Sequence, residues 1–258
     1  MVRGVCAAVA VIVAAAGCAK RIPAPNPEAV HHDEQCAALL HDGDLEQARQ
    51  HCLEALEYSP QYAAAQLHLA MVELRSDQKP AARDRFLKAL ALDEKLPEAH
   101  NALGVLAMEE RRFEEAEKRL KRALEISPDY VEARYNLALD YYLWRNNAKA
   151  KEQIARLMGA HPELSDPIHF DAVLRLADGK VDAAIKQLVQ CVTMTPERPG
   201  YWLALGVGLS RMHRYDEADE ALRTCLELDP EDSICREDLK LLVGRKDLPP
   251  PPVEAPKL

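Results

Sequence analysis

The residues able to do chemistry in this chain are its seven cysteines and nine histidines, scattered through 258 residues. Cysteine can close a disulfide, bind a metal as thiolate, or act as a nucleophile when a base stands beside it. His31 and His32 precede the first predicted helix and His41 and His51 flank it; none joins a cysteine, aspartate or glutamate in a metal-ligand spacing. No phosphate loop and no nucleophile motif occurs. The sequence therefore reads as non-enzymatic, with no catalytic residue, metal, cofactor or small-molecule substrate. Acidic runs such as Glu114, Glu115 and Glu117 alternate with Lys118, Arg119 and Lys121 and belong to solvated helix faces. For cysteine, two readings stay open: cross-link, or small core side chain.

The elements that must position these residues are helices. The chain is 48% hydrophobic, 29% charged and only 5% aromatic, and rich in Ala, Leu, Glu, Lys and Arg. The stretch Pro97 to Tyr130 shows the pattern in full. Leu103, Gly104 and Ala107 fall at helical spacing, Arg111 and Arg112 occupy a turn, Ala116, Leu120 and Ala123 repeat the spacing, and Pro128 ends the pair. Such a helix pair cannot bury its own apolar face and needs neighbours to do so. The same 34-residue period starts at Ala29, Ala63, Pro97, Val131, Ser165 and Pro199 without an insertion. Position 20 is always alanine (Ala48, Ala82, Ala116, Ala150, Ala184, Ala218), and position 8 is always small (Cys36, Ala70, Gly104, Ala138, Ala172, Gly206). Position 32 is Pro60, Pro128, Pro162, Pro196 and Pro230, with Glu94 the exception.

This pattern resembles the tetratricopeptide repeat over residues 29–232. The resemblance implies an all-α fold, a right-handed α-solenoid of six repeats (29–62, 63–96, 97–130, 131–164, 165–198 and 199–232), with first helices on the concave side. Residues 233–246 read as a capping helix, with Ser233 as N-cap, Ile234, Leu239, Leu242 and Val243 covering the last repeat, and Gly244 ending it. Residues 247–258, with Pro249 to Pro252 consecutive, read as a disordered tail.

The register places Cys36 at position 8 and Cys52 at position 24, on facing helices of one repeat, where a bridge is geometrically reasonable. Cys225 at position 27 and Cys235 near the start of the next helix could pair likewise; Cys191, the equivalent of Ala123, reads as a small buried thiol.

The same register separates core from surface on the first helices. Positions 7, 8 and 11 face the second helix, leaving positions 5, 9 and 12 as an opposite face. That face reads Leu67, Met71 and Leu74, then Asn101, Val105 and Met108, then Tyr135, Leu139 and Tyr142, then His169, Val173 and Leu176, and finally Leu203, Val207 and Ser210. It is mostly apolar, and an exposed apolar strip usually marks an interaction site. Burying ~400 Å² of it would contribute about 10 kcal/mol before ordering costs. The expected occupant is an amphipathic helix or extended peptide of a protein partner. The alternative is that these residues pack on one another or are covered by the N-terminal tether. A carboxylate clamp of the kind other members of the repeat family use is not present, and Asn101 and Asn136 read as helix-surface asparagines without a partner.

At the N-terminus, Met1 to Arg3 is a short positive start, Val5 to Ala16 an apolar run, and Ala15-Ala16-Gly17-Cys18 a small-residue end. It resembles a bacterial lipobox, with Ala15 where that family more often has Leu; an ordinary signal peptide cut nearby is the alternative. The resemblance implies a signal segment over 1–17, lipidation of Cys18, and, from Ala19 after the cysteine, a lipid anchor in the bacterial outer membrane facing the periplasm. Residues 18–28, with Pro23, Pro25 and Pro27, read as a stiff tether. Loss of residues 1–17, whose one charged side chain is Arg3, takes the net charge from −9 to −10, which with no clustered basic face argues against nucleic acid.

Lipobox, six repeats and little else together resemble the type IV pilus pilotins, the PilF, PilW and Tgl group. That resemblance implies a partner in the secretin subunits, which such lipoproteins help to reach and assemble in the outer membrane. A general periplasmic scaffold recruiting cell-wall enzymes or proteases is the alternative.

Overall fold

A computed structural model describes residues 23–246; the signal segment, Cys18, the start of the tether and the tail lie outside the described residues. Among the described residues there are thirteen α-helices and no strand. The chain divides between Glu94 and Lys95 into two compact units. The first holds α1 (Pro27–Asp42), α2 (Leu45–Tyr58), α3 (Ala63–Arg75) and α4 (Lys79–Leu92). The second holds α5 (Pro97–Glu109), α6 (Phe113–Ile126), α7 (Val131–Leu143), α8 (Asn147–Ala160), α9 (Ser165–Ala177), α10 (Val181–Met194), α11 (Pro199–Arg211), α12 (Tyr215–Leu228) and α13 (Ser233–Lys246). Two helix hairpins thus make the first unit; four hairpins and a final helix make the second.

The period dictates where each hairpin closes on itself. The six alanines at position 20 and the side chains of Cys36, Ala70, Ala138 and Ala172 at position 8 are fully buried. A Cβ added at Gly104 would lie 2.7 Å from Cγ of Leu120, and one at Gly206 2.7 Å from Cγ of Leu222. Position 8 therefore meets position 24 across the third and sixth hairpins, where the leucine at 24 leaves room only for glycine at 8.

The first hairpin uses this contact differently. Its position 8 and position 24 are Cys36 and Cys52, which are disulfide-bonded with Cα atoms 5.3 Å apart. A second bridge joins Cys225 on α12 to Cys235 on α13. Closing a loop of this size restricts the unfolded chain by about 3 kcal/mol. Replacing Cys36 and Cys52 together by alanine is expected to lower the stability of the first unit by ~2–4 kcal/mol, read as a fall in its urea midpoint.

Six residues at position 15 carry positive φ: Gly43, Asp77, Arg111, Arg145, Gly179 and His213. The turn between the helices of each repeat needs one left-handed residue, and only two repeats supply glycine for it. The second helix of every repeat stops two residues before position 32, including α4, which ends at Leu92 although Glu94 replaces proline. Proline is compatible with that stop rather than required for it.

Both ends differ from expectation. The first helix begins inside the expected tether: Pro27 opens α1, and Oδ1 of Asn26 accepts from the Glu28 amide at 2.9 Å. Proline at the first helical position and asparagine before it form a favourable start that reading 18–28 as spacer overlooked. His31 and His32 consequently lie within α1. At the other end Asp232, not Ser233, caps α13, its Oδ1 accepting from the amides of Ile234 and Cys235 at 2.8 and 2.9 Å. Leu242 and Cys235 are buried, whereas Ile234 and Val243 are exposed, so those two do not cover the last repeat; α13 also runs past Gly244 to Lys246.

Candidate functional site

The face formed by positions 5, 9 and 12 is more enclosed than an open apolar strip. Leu67, Met108 and Leu176 are buried, at 6%, 6% and 7% exposure, and belong to the core rather than to a free surface. Met71, Leu74, Asn101, Val105, Tyr135, Leu139, Tyr142, His169, Val173, Leu203 and Val207 are half-buried.

Position 5 explains much of the difference, because it touches position 6 of the following repeat. In the first unit Nδ1 of His68 lies 2.7 Å from Oδ1 of Asp33. In the second, Nδ2 of Asn136 donates to Oδ1 of Asn101 at 2.9 Å, which corrects the reading of both asparagines as unpartnered. Tyr135 meets Phe170 in the same way, ring centroids 5.5 Å apart, and Tyr142 approaches the same ring edge-on at 5.6 Å. Two tyrosines of α7 thus enclose one phenylalanine of α9, an arrangement favoured by the aromatic quadrupole. The His169 ring lies 4.7 Å from that of Tyr201. Burial is the main cause that holds the His169 pKa below its ordinary value, against the opposing charge of Asp166.

Position 9 is half-buried in every one of these repeats. Met71 occupies it in the first unit; Val105, Leu139, Val173 and Val207 occupy it in the second. Beside it Met108 and Tyr142 line a cleft of about 450 Å³ with Glu109, Arg111, Phe113, Leu143 and Arg145. Val207 and Ser210 line a smaller cleft of about 220 Å³ with Arg211, Asp238 and Leu241.

One buried acid went unread. Asp140, at position 10 of α7, is completely buried, and neither side-chain oxygen has a hydrogen-bond partner among the described residues. Burial, then the charges of Glu117 and Glu114, raise its pKa to about 7. Glu117 goes the other way: burial alone would raise it, but hydrogen bonds from Lys121, Tyr141 and Lys149 carry it down to about 2. The signal was visible in the register, where position 10 elsewhere in the second unit is Leu106, Leu174 and Gly208. Cys191 is a buried free thiol; burial first and the charge of Asp166 second push its pKa up to about 11, so it is inert as a nucleophile. A second omission is His32, His51 and Glu54, which meet on α1 and α2 although the sequence reading joined no histidine to an acid.

Family profiles described as tetratricopeptide repeat match residues 38–97, 107–172 and 199–232. The chain carries tetratricopeptide repeats. Repeats of this type are generally non-enzymatic and bind protein partners along the surfaces that stacking creates. Among curated proteins the chain is 33% identical over 115 residues to the type IV pilus assembly protein PilF of Pseudomonas aeruginosa, covering 44% of this chain and 46% of that one. It is 30% identical over 112 residues to the protein O-mannosyl-transferase TMTC3 of Homo sapiens, covering 42% of this chain and 12% of that one. The chain thus spans less than half the length of these curated relatives. Among solved structures it superposes on Pseudomonas aeruginosa PilF with a TM-score of 0.71 at 22% identity, covering 81% of this chain and 96% of that one. PilW, a widely conserved type IV pilus biogenesis factor, superposes with a TM-score of 0.73 at 17% identity, covering 84% and 99%. At these identities the two structures share the repeat fold with this chain.

Proposed function

We propose that this tetratricopeptide-repeat protein is a pilotin of a type IV pilus, a lipoprotein held at the outer membrane through Cys18 and facing the periplasm, which captures a segment of a secretin subunit and brings it to assembly. The observation that carries this reading is the match to the type IV pilus assembly protein PilF, 33% identical over 115 residues. The apolar line at position 9 supplies a surface of the right chemistry. A segment presenting Leu, Ile, Val or Phe at helical spacing would lie against Leu139 and Val173, with Tyr142 offering both ring and hydroxyl at the edge. The two disulfides of the fold suit an oxidising compartment such as the periplasm.

The test is genetic and biochemical together. Deleting the gene in its own host is expected to abolish the heat-resistant secretin multimer seen on denaturing gels, and reintroducing Leu139→Glu or Val173→Glu chains is expected to leave it missing. Circular dichroism of both variants should match the unsubstituted protein, because the positions are only half-buried. A multimer of normal abundance in the deletion strain would exclude the pilotin role and leave a general periplasmic scaffold as the reading.

A further inference from the structure

The first hairpin gathers three metal-ligating atoms that the adaptor function does not use. Nδ1 of His32 on α1 lies 2.9 Å from Oε2 of Glu54 on α2 and 3.2 Å from Nδ1 of His51, and Nδ1 of His51 lies 3.4 Å from the same Glu54 oxygen. The three atoms form a nearly equilateral triangle. Donors around a tetrahedral ion with bonds of about 2.0–2.1 Å are separated by about 3.3 Å, so this triangle has the dimensions of one face of such a coordination sphere. We infer that His32, His51 and Glu54 form a site for a divalent transition-metal ion of the Zn²⁺ type, with the fourth coordination position open to solvent.

Chemistry, placement and rigidity support the assignment separately. Two imidazoles and one carboxylate suit Zn²⁺ and its neighbours in the first transition row and do not suit Ca²⁺ or Mg²⁺, which take oxygen ligands. Each ring nitrogen in the triangle can only donate or accept, so protons alone cannot satisfy all three contacts at once, whereas a cation satisfies three converging lone pairs together. Side-chain exposures of 20%, 31% and 32% for His32, His51 and Glu54 leave a path for an ion while keeping the donors partly out of water.

The helices that carry the donors are held at fixed spacing. His51 and Glu54 are three residues apart on α2 and share a face. His32 comes from α1, four residues before Cys36, whose bridge to Cys52 staples α1 to α2 next to His51. Tyr58 stacks on the His32 ring at 5.5 Å with 10° between the planes, which fixes the direction in which that imidazole points. Metal sites depend on this kind of support from groups beyond the ligands, because a ligand free to rotate loses affinity. The inference rests on this geometry alone and stands whether or not the protein is a pilotin.

The experiment uses the full-length oxidised protein without a histidine tag, freed of metal with EDTA, and titrated with Zn²⁺ in competition with a chromogenic chelator. One equivalent is expected to bind the unsubstituted chain. His51→Ala and Glu54→Gln are each expected to weaken that binding by at least about 100-fold, since loss of a supporting group alone costs 10–100-fold. His41→Ala, an exposed histidine of the same hairpin, should bind as the parent does. A Co²⁺ titration of the unsubstituted protein gives a readout that needs no variant to fold: four-coordinate nitrogen and oxygen ligation produces intense visible bands, and a loosely held hexahydrate does not. Failure to find one saturable equivalent, equal affinity in His51→Ala, or a hexahydrate-like Co²⁺ spectrum would each overturn the site.

Discussion

Replacing Phe170 by alanine is expected to be among the most destabilising single changes in the second unit, about 3–4 kcal/mol, with a fall of roughly 7–14 °C in its melting midpoint. Phe170 is 5% exposed and packs in the cluster built from Leu137, Tyr141, Ile154 and Leu174. Its ring is enclosed by Tyr135 at 5.5 Å and Tyr142 at 5.6 Å, so truncation leaves a cavity beside two aromatic rings that each lose a packing partner. The flanking tyrosines are half-buried and could fold inward only by leaving the face they share with Leu139. Phe170→Leu, which keeps most of the volume, should cost only ~1 kcal/mol. Thermal and urea melts of the two variants separate the alternatives. A loss below about 1 kcal/mol for alanine would mean that the tyrosines close the gap and that the aromatic enclosure contributes little.

That prediction depends on a contact the sequence did not reveal. The 34-residue period located position 8 and position 20 correctly because both pack within one hairpin, and every repeat therefore carries the same constraint. Position 5 packs on the next repeat instead. Its requirement is pairwise, appearing as Asp33 with His68, Asn101 with Asn136 and Tyr135 with Phe170. No single residue type recurs there, so a register built on recurrence reads the position as free surface. Matching chemistry at position 5 and at position 6 one period later was the signal that could have found it. His32, His51 and Glu54 escaped for a related reason. Two donors share a face of α2, but the third reaches them from α1, and only a helix that starts at Pro27 brings His32 into the hairpin. Met108 and Leu176 at position 12 are buried whereas Leu74 and Tyr142 are half-buried, a variation that follows the packing of each hairpin and is invisible in the period.

Asp140→Asn is expected to stabilise the protein at pH 8 by roughly 2–4 kcal/mol, at pH 5 by about a third of that, and to leave it nearly unchanged only below the unfolded value of 3.8. The carboxyl is fully buried without a partner among the described residues, and its pKa is raised from 3.8 to about 7 by burial first, then by Glu117 and Glu114. The folded state therefore holds a proton that the unfolded state releases between those two values. The stability this contributes is complete below the unfolded value of 3.8 and is lost as pH rises through about 7. The difference amounts to on the order of 4 kcal/mol, from 1.36 kcal/mol per pH unit. Asparagine has nearly the same shape and stays neutral, so it removes the whole loss above pH 7, part of it between 3.8 and 7, and gives nothing below 3.8, where Asp140 is protonated in both the folded and the unfolded chain. Other groups tilt the parent's profile the opposite way. His169, its pKa lowered mainly by burial, loses stability as pH falls below its ordinary 6.5, and Glu117 does so as pH falls from 4.5 towards about 2. Both are present in parent and variant alike, so the difference in urea midpoint between the two chains at each pH isolates Asp140. Leu106 and Leu174 at the same position show that the site does not need an acid to fold. Equal differences at pH 5 and pH 8 would mean that Asp140 titrates in its ordinary range and that its charge is met by a group the geometry does not supply.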